Sequence, residues 1–172
     1  AHSFIVDPHK WLFAPFDCCA LIYQDPRLAR EAHQQQGAYL EVVYDGVWNV
    51  SDYAHHLSRR ARGLPLWFSL ATHGTEAYAD AVEQTLAVAK EAAVRIERQP
   101  NLELVAEQNL SICVFRRKGW NPADYANWSD HQLETGQSFV TPTKHNGETV
   151  LRFCIVNPRT TVQHIEEILA SL

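Results

Sequence analysis

The hydrophobic rhythm of the chain changes several times, and each change predicts an element. Phe4, Ile5 and Val6 form a short apolar run that Pro8 stops, the pattern of a buried strand. A second apolar, β-branched and aromatic run, Cys18 to Tyr23, closes at Asp25-Pro26. Pro26 at a first helical position then starts a short helix over Arg27 to Gln35. From Gln36 to His56 the periodicity disappears, with Gly37, Gly46 and scattered aromatics set among acids and amides. About twenty residues without regular structure in a compact domain mark a functional loop or lid.

Leu64 to Leu70 resumes as a very apolar helix, with Pro65 tolerated in its first turn and Gly74 breaking or bending it. Thr75 can cap the next helix, in which Ala77, Ala81, Val82, Ala89, Ala93 and Ile96 recur at helical spacing to Arg98. That helix of ~22 residues, about 33 Å long, can connect two lobes. Beyond Pro100-Asn101 the period becomes two. Leu102, Leu104 and Ala106 alternate, and Ile112, Val114 and Phe115 give another strand. Pro122 to Leu133 reads as a weakly amphipathic helix ended near Gly136. Ser138–Thr143 and Thr149–Val156 flank Asn146-Gly147, the signature of a two-stranded hairpin. Thr161 caps a closing helix whose Val162, Ile165, Ile168, Leu169 and Leu172 share one face. Pattern reasoning therefore gives a two-layer α/β portion followed, from about residue 100, by a small α+β lobe.

Composition narrows the classes. In 172 residues, 46% hydrophobic and 20% charged residues suit a globular protein and exclude disorder. A net charge of −5 argues against nucleic acid as a partner. The basic cluster Arg59, Arg60 and Arg62 reads as a solvated or subunit-facing turn. No run approaches the ~18 apolar residues of a membrane span. Cys18, Cys19, Cys113 and Cys154 lie in strand-like segments without C-x-x-C spacing, so buried free thiols in a reducing cytoplasm are expected. Sequons at Asn49, Asn109 and Asn127 are then chance matches, and the histidines show no metal-ligand spacing, so no metal is expected. The chain lacks methionine and opens on a strand with no capping segment, as a truncated protein would.

One residue carries candidate chemistry. Lys10 stands just past the first strand and is followed by Trp11, Leu12 and Phe13. A lysine among apolar groups is pushed toward the neutral amine, the form that attacks a carbonyl. The bland alternative is a lysine snorkelling from a strand end.

The segment Ser3-Phe4-Ile5-Val6-Asp7-Pro8-His9-Lys10-Trp11-Leu12, with Phe16-Asp17-Cys18-Cys19-Ala20 after it, resembles the cofactor-lysine region of pyridoxal-phosphate-dependent amino-acid decarboxylases. The group in question contains the aromatic-amino-acid, histidine and glutamate enzymes. The resemblance implies an α/β fold: the end of the large domain of an aspartate-aminotransferase-like, type I pyridoxal-phosphate fold, followed by the α+β C-terminal small domain. It divides the chain into 1–63, the end of the cofactor-binding domain with a mobile loop; 64–99, linking helices; and 100–172, the small domain.

It also implies roles. Lys10 would hold pyridoxal 5'-phosphate as a Schiff base, and His9 would neighbour the cofactor's phosphate or ring. Asp7 stands where many relatives have asparagine. Tyr39, in Gly37-Ala38-Tyr39-Leu40, matches a mobile-loop tyrosine that can return a proton to the substrate carbon after carbon dioxide leaves. Arg152, in Val150-Leu151-Arg152-Phe153-Cys154, would face the substrate carboxylate; an ion pair with a carboxylate of the fold such as Glu134 is the alternative. The expected partners are a small amino-acid substrate, the missing N-terminal portion of the enzyme and a second copy in a homodimer. Family features upstream of this sequence, including the aspartate on the ring nitrogen, cannot be placed on it, so the chain by itself should bind cofactor poorly. A non-catalytic remnant serving dimerisation, or another carbon-carbon lyase or aminotransferase of the same fold, competes with the decarboxylase reading. The substrate is not readable, because its side-chain pocket would be built largely from absent residues.

Overall fold

Strand β1 (Ser3–Val6) pairs antiparallel with β2 (Ala20–Tyr23), bringing Phe4 opposite Ile22 and Ile5 opposite Leu21. The computed structural model from which this is read describes residues 1–35 and 48–172. They divide into two compact units, Ala1–Gly74 and Thr75–Leu172.

In the first unit the single-turn helix α1 (Pro8–Trp11) follows β1, and α2 (Pro26–His33) follows β2. Asp25 caps α2, its Oδ1 accepting from the Arg27 N–H at 3.0 Å, as Pro26 at the first position leads one to expect. A 3-10 turn, Val50–Tyr53, is capped in the same way by Asn49. It is tied to α2 by Arg30 and Asp52 at 3.3 Å, and to β2 by the Tyr23 hydroxyl donating to the Tyr53 carbonyl at 3.2 Å.

The first strand is not buried. Phe4 is 61% exposed, Ile5 63%, Leu21 46% and Ile22 57%. The apolar run was a sound sign of a strand, but side chains alternate across it, so both faces of the ribbon are apolar and both are largely bare. A two-stranded ribbon cannot bury two faces with the little chain packed on it here.

Helix α3 (Gly63–Arg98) crosses from the first unit to the second, and Gly74 interrupts it with φ 79° and ψ 160°. Only glycine adopts that backbone cheaply, so the sequence break is a structural one.

The second unit is a four-stranded antiparallel sheet in the order β3 (Leu102–Leu104), β4 (Ile112–Arg117), β6 (Glu148–Cys154), β5 (Pro142–His145). The β5–β6 hairpin turns at Asn146 and Gly147, both at positive φ, matching the Asn-Gly signal. Helices α4 (Pro122–Glu134) and α5 (Val162–Ala170) each begin with a capping box, from Asn121 and Thr161. The core joins the Val88, Ala89, Ala92, Ala93 and Ile96 face of α3 to Cys113 and Phe115 of β4, Leu151 and Phe153 of β6, and Ile165 and Leu169 of α5. Phe115 and Phe153 rings meet with centroids 4.8 Å apart. This is the α+β lobe that the alternation predicted.

Candidate functional site

The turn between β1 and α1 decides what the lysine can do. Pro8 occupies the first helical position, where a missing N–H costs nothing, and the Lys10 N–H donates to the Asp7 carbonyl at 2.9 Å. One turn brings the Lys10 ammonium back over the Asp7 carboxylate, Nζ to Oδ2 2.6 Å. The lysine side chain is 69% exposed rather than pressed among the apolar groups that follow it. Its pKa is raised, first by the hydrogen bond it donates to Asp7 and then by that residue's charge, the opposite of the expected shift toward the neutral amine. The reason is local: a carboxylate three residues back on a helical turn lies within reach, while adjacent positions point elsewhere.

Asp7 holds a second partner, the Cys19 thiol at the edge of β2. Hydrogen bonds from Lys10 and then from Cys19 lower its pKa. Loss of water, and then the Asp7 carboxylate, push the Cys19 thiol up. His9 is pinned across the same ribbon: its Nδ1 lies 2.5 Å from the Cys18 carbonyl oxygen and 3.2 Å from the Cys18 N–H. The shorter contact calls for Nδ1–H as donor. In that tautomer Nε2 is an acceptor, so it donates to an anion only when the ring carries its second proton. The Phe16 ring packs edge-on against His9 at 5.2 Å.

Against a pyridoxal-phosphate group these residues fit unevenly. The Lys10 amine is open to an aldehyde and His9 offers a ring nitrogen. Asp7 is an acceptor that would repel a phosphate, and it engages the lysine instead.

Beside this turn lies a cavity of about 830 Å³, all of it within the first unit. Ile5, Leu21 and Tyr23 of the ribbon form an apolar wall, and His9, Cys18 and Cys19 also reach it. Arg59, Arg60, Arg62, His33, His55 and His56 supply polar groups to the lining. Asp17 pairs with Arg60, and with Arg62 at 3.0 Å; the two guanidiniums, Arg62 foremost, lower its pKa to about 2. Arg59 Nη2 donates to the Val50 carbonyl at 2.5 Å. Sequence reading treated these arginines as a solvated or subunit-facing turn and assigned no role to His55 and His56. The signal available was Asp17 itself, inside the Phe16-Asp17-Cys18 stretch, since a half-buried carboxylate needs a cation.

The remaining candidates separate. Tyr39 lies outside the described residues. Arg152 is on β6 in the second unit, opposite Val114, and is exposed. Strand alternation sends Leu151 and Phe153 into the core and Arg152 to the other face. Among the described residues it makes no ion pair, with Glu134 or any other carboxylate, so burial between apolar neighbours does not force a partner on it. The cysteines also divide: Cys18 and Cys113 are buried, whereas Cys19 and Cys154 are exposed, and all are free. Among the described residues no group of three or more His, Cys, Asp or Glu side chains could hold a metal ion, and no helix is long and apolar enough to cross a membrane.

The model of the pyridoxal-dependent decarboxylase conserved domain matches residues 1–118. The chain belongs to the pyridoxal-dependent decarboxylase family. Tyrosine decarboxylase 2 of Arabidopsis thaliana is 31% identical over 97% of the chain, which covers 32% of that protein. The 3,4-dihydroxyphenylacetaldehyde synthase of Aedes aegypti is 30% identical over 90% of the chain, which covers 30% of it. Among solved structures, Oryza sativa TDC with PLP and tryptamine superposes with a TM-score of 0.85 at 24% identity, over 99% of this chain and 38% of that one. The fold is thus that of pyridoxal-dependent decarboxylases, whose cofactor is pyridoxal phosphate. The chain spans about a third of the length of the relatives it matches.

Proposed function

We propose that this chain is part of a pyridoxal-phosphate-dependent decarboxylase that removes the α-carboxylate of an L-amino acid, with Lys10 as the residue that holds the cofactor. The observation that carries the reading is the placement of Lys10: an accessible amine directly after β1, beside His9, inside the stretch that the family model matches. When bound, pyridoxal phosphate takes up the electron pair left at the substrate's Cα as carbon dioxide departs. The protein's part is to supply an uncharged amine for the aldehyde, a donor for the phosphate and a proton for the carbon. Lys10 must lose its proton before its nitrogen bonds to carbon, and Asp7 opposes that loss. His9, protonated at both nitrogens, supplies a donor to an anion. Tyr39 is the candidate proton donor and Arg152 the candidate carboxylate partner.

The assembly extends beyond these 172 residues. It needs the upstream portion of the enzyme and, in this reading, a second copy, in a reducing cytoplasm that suits four free thiols. A second reading, a non-catalytic lobe used for dimerisation, draws on one observation: Asp7 holds the lysine in its charged, unreactive form.

A substrate panel on the full-length reading frame separates them. Aromatic, acidic and basic L-amino acids are supplied with pyridoxal phosphate, and carbon dioxide and amine are measured together. Equal yields of both, lost by roughly a thousandfold or more in Lys10→Ala, are expected. Carbon dioxide without matching amine points to another reaction of the same fold; no turnover with any substrate favours the non-catalytic lobe.

A further inference from the structure

His9 is held by a stretch of chain that is itself held through one carboxylate. The Cys18 carbonyl accepts from His9 twice, from Nδ1–H at 2.5 Å and from the backbone N–H at 3.4 Å. The Phe16 ring packs edge-on against the imidazole at 5.2 Å. Asp17, between these two residues, pairs with Arg60 and with Arg62, the latter at 3.0 Å. Both arginines ride on the turn that opens α3, where the Arg62 N–H donates to the Arg60 carbonyl at 2.8 Å and the Leu64 N–H to the Ala61 carbonyl at 3.0 Å. Ion pairs this exposed add little to stability. Two guanidiniums converging on one carboxylate do fix where it sits, and with it the peptide groups on either side. With its pKa at about 2, Asp17 stays ionised through the whole working range of pH.

We propose that Asp17 is a positioning residue: gripped by Arg60 and Arg62, it keeps the Cys18 carbonyl on His9 Nδ1 and so leaves Nε2 as the ring nitrogen available to the cofactor. A histidine with one nitrogen tied to a carbonyl has its tautomer and its ring orientation chosen by that bond. The proposal rests on the decarboxylase reading only for what meets Nε2. The grip on His9 does not depend on it.

The test labels the histidine rings of this chain with nitrogen-15 and identifies His9 by the signals that His9→Gln removes. At pH 9, well above the ordinary histidine value of about 6.5, the unaltered chain should show His9 as the Nδ1–H tautomer. Asp17→Ala should give a mixture of tautomers, and Asp17→Glu should keep Nδ1–H; circular dichroism checks that each variant is folded. Where Asp17→Ala does not fold, Arg60→Gln with Arg62→Gln removes the same pairs. In the full-length enzyme Asp17→Ala should weaken retention of pyridoxal phosphate at least about tenfold, as happens when the partner orienting a ligating histidine is removed, and Asp17→Glu by less. The proposal is overturned if the unaltered chain shows Nε2–H, if His9 keeps Nδ1–H once the pairs are gone, or if the tautomers mix while cofactor retention is unchanged. A full-length enzyme that takes no cofactor on Lys10 defeats the functional reading instead, and the histidine spectrum still decides whether Asp17 holds His9.

Discussion

Asp7 decides the behaviour of the lysine turn. Its carboxylate holds Lys10 charged and disfavours the Cys19 thiolate, so one substitution should release both. Asp7→Asn is expected to lower the Lys10 pKa, followed by NMR of the dimethylated amine, and to speed the reaction of Cys19 with a thiol reagent at pH 8. An unchanged lysine titration would mean that the pair does not form in solution. The sign of the pH dependence follows from the directions of shift. Asp7, lowered on folding, contributes above the ordinary carboxylate value near 3.8 and loses that contribution as pH falls through its folded value. Lys10, raised on folding, contributes fully below 10.5 and loses it as pH rises through its higher folded value. The clasp therefore persists across all physiological pH, and any bond from the Lys10 amine to an aldehyde would have to break it. At Lys10 the family was legible, because the residue's neighbours form a distinctive motif within the stretch that the family model matches. Its protonation was not, because adjacency along the chain is a poor guide to surroundings: the residue that matters is three positions back on a helical turn, not the tryptophan next to it.

At the scale of elements, periodicity identified strands and helices more readily than it identified what covers them. In the second unit both were legible. The Ala89–Ala93–Ile96 face, the alternation about Phe115 and Leu151, and the Asn146-Gly147 turn each appear where their spacing placed them, because that lobe closes its own core. Phe115 is fully buried against Phe153, so Phe115→Ala should cost about 3–5 kcal/mol in urea unfolding, through lost burial and the cavity left behind. A loss under about 1 kcal/mol would show that the core is not packed around that ring. In the first unit the same rules found β1 and β2 but misjudged the burial of β1. An apolar strand announces that it needs cover; it does not say whether the cover lies in the same stretch of chain.

For the whole molecule, the share of the relatives' length is the governing fact. The chain, about a third of the length of its relatives, carries Lys10, the break at Gly74 and a small lobe with its own core, and its apolar ribbon is largely exposed beside an arginine-lined cavity. Substrate identity was not legible in the sequence. The most direct test of the account is to incubate pyridoxal phosphate with the isolated chain and with the full-length enzyme, reduce with borohydride, and map the modified peptide by mass spectrometry. The account predicts stoichiometric modification of Lys10 in the full-length enzyme and little in the isolated chain. A full-length enzyme in which Lys10 stays unmodified would contradict it.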